Sequence, residues 1–80
     1  MTEPKYTEKQ GQYLAFINAY TKVNGRPPAV ADIQRFFRVT PPTAQNMVVR
    51  LTKLGLINRV PGAPRTIVVL VPQDQLPALK

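Results

Sequence analysis

The sequence predicts a small domain of the α+β class, mostly α, in which three helices are followed by a C-terminal two-stranded β-hairpin. Two observations about pattern point there. Apolar residues recur at three- and four-residue intervals in three stretches, separated by Gly25-Arg26-Pro27-Pro28 and by Thr40-Pro41. After Gly55 that period gives way to extended runs on either side of Pro61-Gly62-Ala63-Pro64. Size is the third: 80 residues with 44% hydrophobic content can close one core without staples.

The elements follow in order. Residues 1–6 are polar and contain Pro4, so a flexible N-terminus is expected. Thr7 with Gln10 three residues on has the spacing of a capping box, which starts the first helix near Glu8. Tyr13, Phe16, Ile17, Tyr20 and Val23 or Asn24 share one face of it, and Gly25 ends it. The tyrosines therefore read as core residues. Two prolines then force a turn. A short second helix carries Val30, Ile33, Phe36 and Phe37 as an apolar stripe, with Asp32 in its first turn and Arg35 and Arg38 toward its end, as the helix dipole favours. Val39 is an apolar plug in a tight turn. Thr40-Pro41 supplies a capping hydroxyl and a proline suited to the first helical position, so the third helix runs from Pro41 to Leu54. Its core face is Ala44, Met47, Val48, Leu51 and Leu54; its opposite face is Pro42, Gln45, Asn46, Val49 and Lys53, flanked by Thr43 and Arg50. Leu56–Val60 and Arg65–Val71 are the strands of the hairpin, and residues 72–80 read as a tail or the start of a linker.

Charge and chemistry narrow the function. The formal net charge is +7, and between Arg26 and Arg65 lie seven basic residues (Arg26, Arg35, Arg38, Arg50, Lys53, Arg59, Arg65) against the single acid Asp32. Such a field draws polyanions. Cysteine is absent, which excludes disulfides, thiolate metal sites and a cysteine nucleophile; no metal or other cofactor is expected. Histidine and serine are absent too, and Glu3, Glu8, Asp32 and Asp74 are scattered. No catalytic residues are assigned, and an enzyme is not expected. The N-terminus has no apolar targeting segment and the longest apolar run, Ile67–Val71, is too short to span a bilayer, so a cytoplasmic protein without membrane contact is expected.

Three helices, the last two joined by a tight turn, followed by a hairpin, is the order of a winged helix-turn-helix, a shape in which one helix fits the major groove and the preceding helix braces it. On that reading the third helix lies in the groove and the wing, 56–71, lies on the adjacent backbone. Gln45 and Asn46 suit bidentate pairing with adenine, Thr43 a base or phosphate, Val49 a thymine methyl, and Pro42 a buried position in the groove. Thr40 stands where helix-terminal amides favour a phosphate. Arg38, Arg50, Lys53 and Arg26 are candidate phosphate contacts, and Arg59 and Arg65, flanking the wing tip, reach toward backbone or minor groove. Each residue also has an ordinary structural reading, as a cap or a solvated helix face. A protein-docking module of the same fold is the main alternative, with single-stranded nucleic acid behind it.

From Tyr6 to Val71 the chain resembles the winged helix DNA-binding domain of the LexA repressor family. The likeness rests on Tyr6-Thr7-Glu8-Lys9-Gln10, Gly25-Arg26-Pro27-Pro28, Ala31-Asp32-Ile33, Thr40-Pro41, Gly55-Leu56-Ile57 and Val60-Pro61-Gly62-Ala63-Pro64-Arg65. It implies a transcriptional repressor that binds double-stranded DNA, with Thr40, Pro42, Thr43, Gln45 and Asn46 at the operator. Three departures stand out: Ala29 replaces the family's Ser or Thr cap before the second helix, the turn before Thr40 is one residue shorter, and Pro42, Gln45 and Asn46 replace an asparagine and a glutamate pair. The second helix should be less well capped, and the operator should differ. LexA-like repressors continue into a self-cleaving peptidase domain that also dimerises them; no peptidase motif is present here, as in either a fragment or a stand-alone relative, and with no obvious dimerisation helix a weak homodimer, or dimerisation on DNA, is expected.

Overall fold

The computed structural model describes residues 6–79. Three helices, α1 (Glu8–Asn24), α2 (Val30–Phe37) and α3 (Pro41–Lys53), precede two short strands, β1 (Ile57–Asn58) and β2 (Val68–Val69), and a single 3-10 turn at Gln73–Gln75. The strands pair antiparallel, with Ile57 opposite Val69 and Asn58 opposite Val68. This is the three-helix, hairpin-terminated α+β arrangement that the sequence predicts.

The capping box of α1 is formed in both directions: the Thr7 hydroxyl accepts from the Gln10 N–H at 3.1 Å, and the Thr7 N–H donates to Gln10 Oε1 at 2.9 Å. As expected of a chain with Ala29 at the cap, α2 has no N-cap side chain. Asp32 compensates, because its Oδ2 accepts from the Ala29 N–H at 2.9 Å. α2 and α3 stop in the same geometry. Val39 N–H bonds back to Gln34 C=O, and Leu56 N–H to Leu51 C=O, each around a residue in the left-handed region. At α3 that residue is Gly55, which tolerates it freely; at α2 it is Arg38, at φ 54°, which does not.

Tyr13, Leu14 and Ile17 of α1, Ile33 of α2, Ala44, Val48 and Leu51 of α3, and Leu56, Ile57 and Ile67 of the hairpin form the core. The aromatic side chains extend it on one flank: Tyr13 stacks on Phe37 with ring centroids 4.0 Å apart, and Phe16 on Phe36 at 4.4 Å.

Several expectations are corrected. Leu54 is 49% exposed and caps α3 instead of completing its core face, because the helix ends at Lys53 and the apolar positions that follow the turn, Leu56 and Ile57, enter the core in its place. Val23 is exposed, since α1 outruns the core at its C-terminal end. The strands are shorter than the extended runs on either side of the turn. Pro61 and Pro64 have no N–H to continue a ladder, and the Thr66 hydroxyl takes the Val60 N–H at 2.9 Å. Most consequentially, α1 is buried all round its middle: Tyr13, Leu14, Ala15, Phe16 and Ile17 are consecutive and all buried. Residues 72–79, read as a tail or linker start, account for its far side. Leu76 and Leu79 pack against the core, Gln12 Nε2 donates to Ala78 C=O at 2.9 Å, and the Tyr6 hydroxyl donates to Gln75 C=O. The flexibility expected of residues 1–6 falls, apart from Tyr6, outside the described residues.

Candidate nucleic-acid interface

α3 sorts its residues by side. Ala44, Val48 and Leu51 are fully buried, which turns Pro42, Thr43, Gln45, Asn46, Arg50 and Lys53 outward, all exposed, while Val49 is half-buried at the edge of that face. No carboxylate lies anywhere on α3. The outward face therefore offers two amides and a hydroxyl over its first two turns and two cations over its last two, the order the sequence predicts.

The N-terminus of α3 differs from expectation. Thr40 occupies the cap position, with extended φ −71° and ψ 157°, but its hydroxyl bonds no backbone N–H; it pairs with the Thr43 hydroxyl at 2.9 Å. Two prolines follow. Pro41 and Pro42 carry no N–H, so an anion would find two of the terminal donors missing, while a capping side chain loses that of Pro42 and keeps only the Thr43 N–H in its usual reach. The terminal amides are thus a poorer phosphate site than Thr40-Pro41 alone suggested, and the polar groups on offer here are the paired hydroxyls of Thr40 and Thr43.

The remaining cations fall into two groups. Arg26, in the α1–α2 connection, and Arg38, in the turn before α3, are exposed, and Arg59 is half-exposed at the base of the wing; none has an ion-pair partner among the described residues. Arg50 and Lys53 are likewise unpaired among them. Arg65 behaves otherwise. Its guanidinium turns inward, with Nη1 3.1 Å from the Tyr20 hydroxyl of α1 and 3.2 Å from Asp32 Oδ2 of α2. Asp32 also accepts from Arg35 at 2.6 Å. The Ala29 N–H, with the two guanidinium groups, holds the Asp32 carboxyl below its ordinary range, since each favours the ionised form. Sequence reading assigned Tyr20 to packing and Asp32 to the helix dipole; neither periodicity nor propensity carries a signal for a contact 45 residues apart in the chain.

No helix among the described residues is long and apolar enough to cross a membrane, and no cluster of His, Cys, Asp or Glu among them could hold a metal ion.

Comparison with known proteins gives one family. The model of the LexA DNA binding domain matches residues 3–66. Among curated relatives, the LexA repressor of Thermotoga neapolitana is 48% identical over 59 residues, covering 74% of this chain and 30% of the relative. That of Thermosipho melanesiensis is 39% identical over 72 residues, covering 90% and 36%. The LexA repressor of Syntrophomonas wolfei is 38% identical over 79 residues, covering 98% and 37%. The chain spans about a third of the length of these relatives. The match takes in all three helices, the turn between α2 and α3 that carries Arg38, and the wing as far as Thr66, and with it the chain belongs to the LexA DNA-binding domain family.

Proposed function

We propose that residues 7–71 bind double-stranded DNA in a sequence-specific manner as the DNA-binding part of a LexA-like transcriptional repressor, without enzymatic activity of their own. The observation that carries this reading is the outward face of α3, free of carboxylates and exposing amides, hydroxyls and cations, on a helix buttressed by α2. In the proposed complex α3 lies in the major groove. Gln45 and Asn46 read base edges, Thr43 and Thr40 bond a base or a phosphate, and Pro42 and Val49 make the apolar contacts, Val49 with a thymine methyl. Arg50, Lys53 and Arg38 neutralise phosphates along the groove; Arg26 and Arg59 do so at its margins. The protein works in the cytoplasm, and two copies meet weakly or only on DNA, so the preferred site is two-fold symmetric.

The test is selection of preferred sites from random duplex DNA, followed by titration of the selected duplex at two salt concentrations. A recurring sequence whose affinity falls steeply with salt is expected. No saturable binding to any duplex at low salt would sink the proposal, and recovery of a stoichiometric protein partner after nuclease treatment would replace it with a docking role.

A further inference from the structure

The base of the hairpin is fixed to the helices by Leu56 and Ile57 in the core and Val69 against it, but its tip has few means of holding its attitude. Its ladder consists of two residue pairs and stops at Asn58 and Val68, leaving residues 59–67 outside it. Within that stretch the chain stabilises itself locally, through Thr66 bonded to Val60 and Ala63 and through the turn from Ala63 N–H to Val60 C=O. None of those bonds leaves the wing. From residues 59–67 the ties to the helices are Ile67, buried in the core at 4% exposure, and Arg65, whose guanidinium spans to α1 and α2 together.

Arg65 is built for that position and not for a solvent-facing one. Its side chain is 33% exposed, whereas Arg35, on the same carboxylate, is 74% exposed, and Asp32 between them is 10% exposed. Its backbone sits at φ 59°, a left-handed conformation costly to any residue with a side chain. Strain of that kind persists where surrounding contacts over-determine it. Asp32 in turn stands in the first turn of α2, the helix that packs on α3, so the wing and the groove-facing helix are referenced to one element.

We propose that Arg65 is a positioning residue: through Asp32 and Tyr20 it latches the wing to α2 and α1 in the attitude that lets wing and α3 engage one duplex. This rests on the DNA-binding reading above. It reassigns Arg65 from a direct phosphate contact to an internal tie, and gives Asp32 and Tyr20 roles in binding although neither faces the duplex.

Three single variants and one double variant of the whole chain separate the two assignments, each titrated with the selected duplex over a range of salt. A phosphate contact predicts that Arg65→Gln lowers the slope of log affinity against log salt by about 0.9. It also predicts that Tyr20→Phe changes nothing and that Asp32→Asn, which removes a negative charge, tightens binding. The latch predicts the opposite pattern. Arg65→Gln weakens binding about tenfold with the slope unchanged, Tyr20→Phe weakens it a few-fold, and Asp32→Asn weakens it despite the gain in net positive charge. The double variant Asp32→Asn/Arg65→Gln binds no worse than Arg65→Gln alone, as expected for two ends of one contact. Tyr20→Phe keeps the ring that packs beside Phe16, so its effect is not one of misfolding. Amide exchange in the free chain gives a readout independent of DNA: Val60 and Ala63 should exchange faster in Arg65→Gln and Tyr20→Phe. Unchanged exchange there, or a lowered salt slope with Asp32→Asn binding tighter, would overturn the latch. Failure of the unaltered chain to bind any duplex would overturn the DNA reading instead.

Discussion

Tyr13 is fully buried, and its hydroxyl has no hydrogen-bond partner among the described residues. Burial pushes its ionisation upward, and the unpaired oxygen costs about 1–3 kcal/mol of desolvation with nothing in return. Tyr13→Phe keeps the stack on Phe37 and removes the cost, so urea unfolding should show a gain of about 1 kcal/mol. Arg38 is the opposite case, a residue whose backbone is strained while its exposed side chain has no ion-pair partner among the described residues. Arg38→Gly should stabilise the fold by up to about 1 kcal/mol, since the left-handed conformation penalises every side chain. It should also weaken duplex binding and lower the salt slope by about one phosphate's worth, a separation of stability from affinity that melting and titration read together. Asp32 supplies a pH dependence. Its folded pKa lies below its unfolded one, so the unfolded chain binds the proton more readily; the stabilisation is complete above the ordinary carboxylate pKa of about 4 and drains away as pH falls through the depressed folded value. Asp32→Asn should flatten that acid limb of the stability curve, measured by thermal unfolding from neutral pH downward.

Among elements, α1 and the segment 72–79 depend on each other through Gly11. A Cβ at Gly11 would stand 2.8 Å from Tyr6 Cε1 and 3.0 Å from Pro77 Cγ, closer than packed atoms allow. Gly11→Ala gains about 1 kcal/mol of helix propensity, which the displaced contacts offset. The expected result is little change in global stability but faster amide exchange at Gln75 and Leu76, whose N–H groups close the 3-10 turn. In α3 the division of labour is along the axis. Asn46→Ala, in the first two turns, should alter which sequences are selected, whereas Lys53→Ala, in the last, should weaken all sequences about equally.

At the scale of the molecule the cations are arranged by one acid. Asp32 draws Arg35 and Arg65 to itself, and the cations left without an ion-pair partner among the described residues are Arg38, Arg50 and Lys53 around α3, with Arg26 and Arg59 beyond. Seven cations against Asp32 leave the segment at +6 with that carboxylate already counted, so the ion pairs change the placement of the charge and not its total: Arg35 and Arg65 are held at Asp32 while the other five cations stand apart from it. Long-range attraction will still be strong at low salt and screened over about 8 Å at physiological ionic strength.

The three helices, the capping box of α1 and the composition of the α3 face were legible in the sequence because each is set by neighbours within four residues: Thr7 with Gln10, Pro41 at the start of α3, and Ala44, Val48 and Leu51 on one side of a helix. What local pattern cannot hold is a contact closed by the fold. Nothing near Arg65 says that its guanidinium meets Asp32 and Tyr20, and nothing near Gly11 says that Pro77 lies over it. The run of buried residues through α1 reads from sequence as one apolar face with extra small or apolar neighbours; only the return of residues 72–79 explains why the other sides are buried too. Local chain geometry decided the elements and the chemistry of the α3 face, while packing between distant segments decided which cations remain on offer to a duplex and which hold the molecule together.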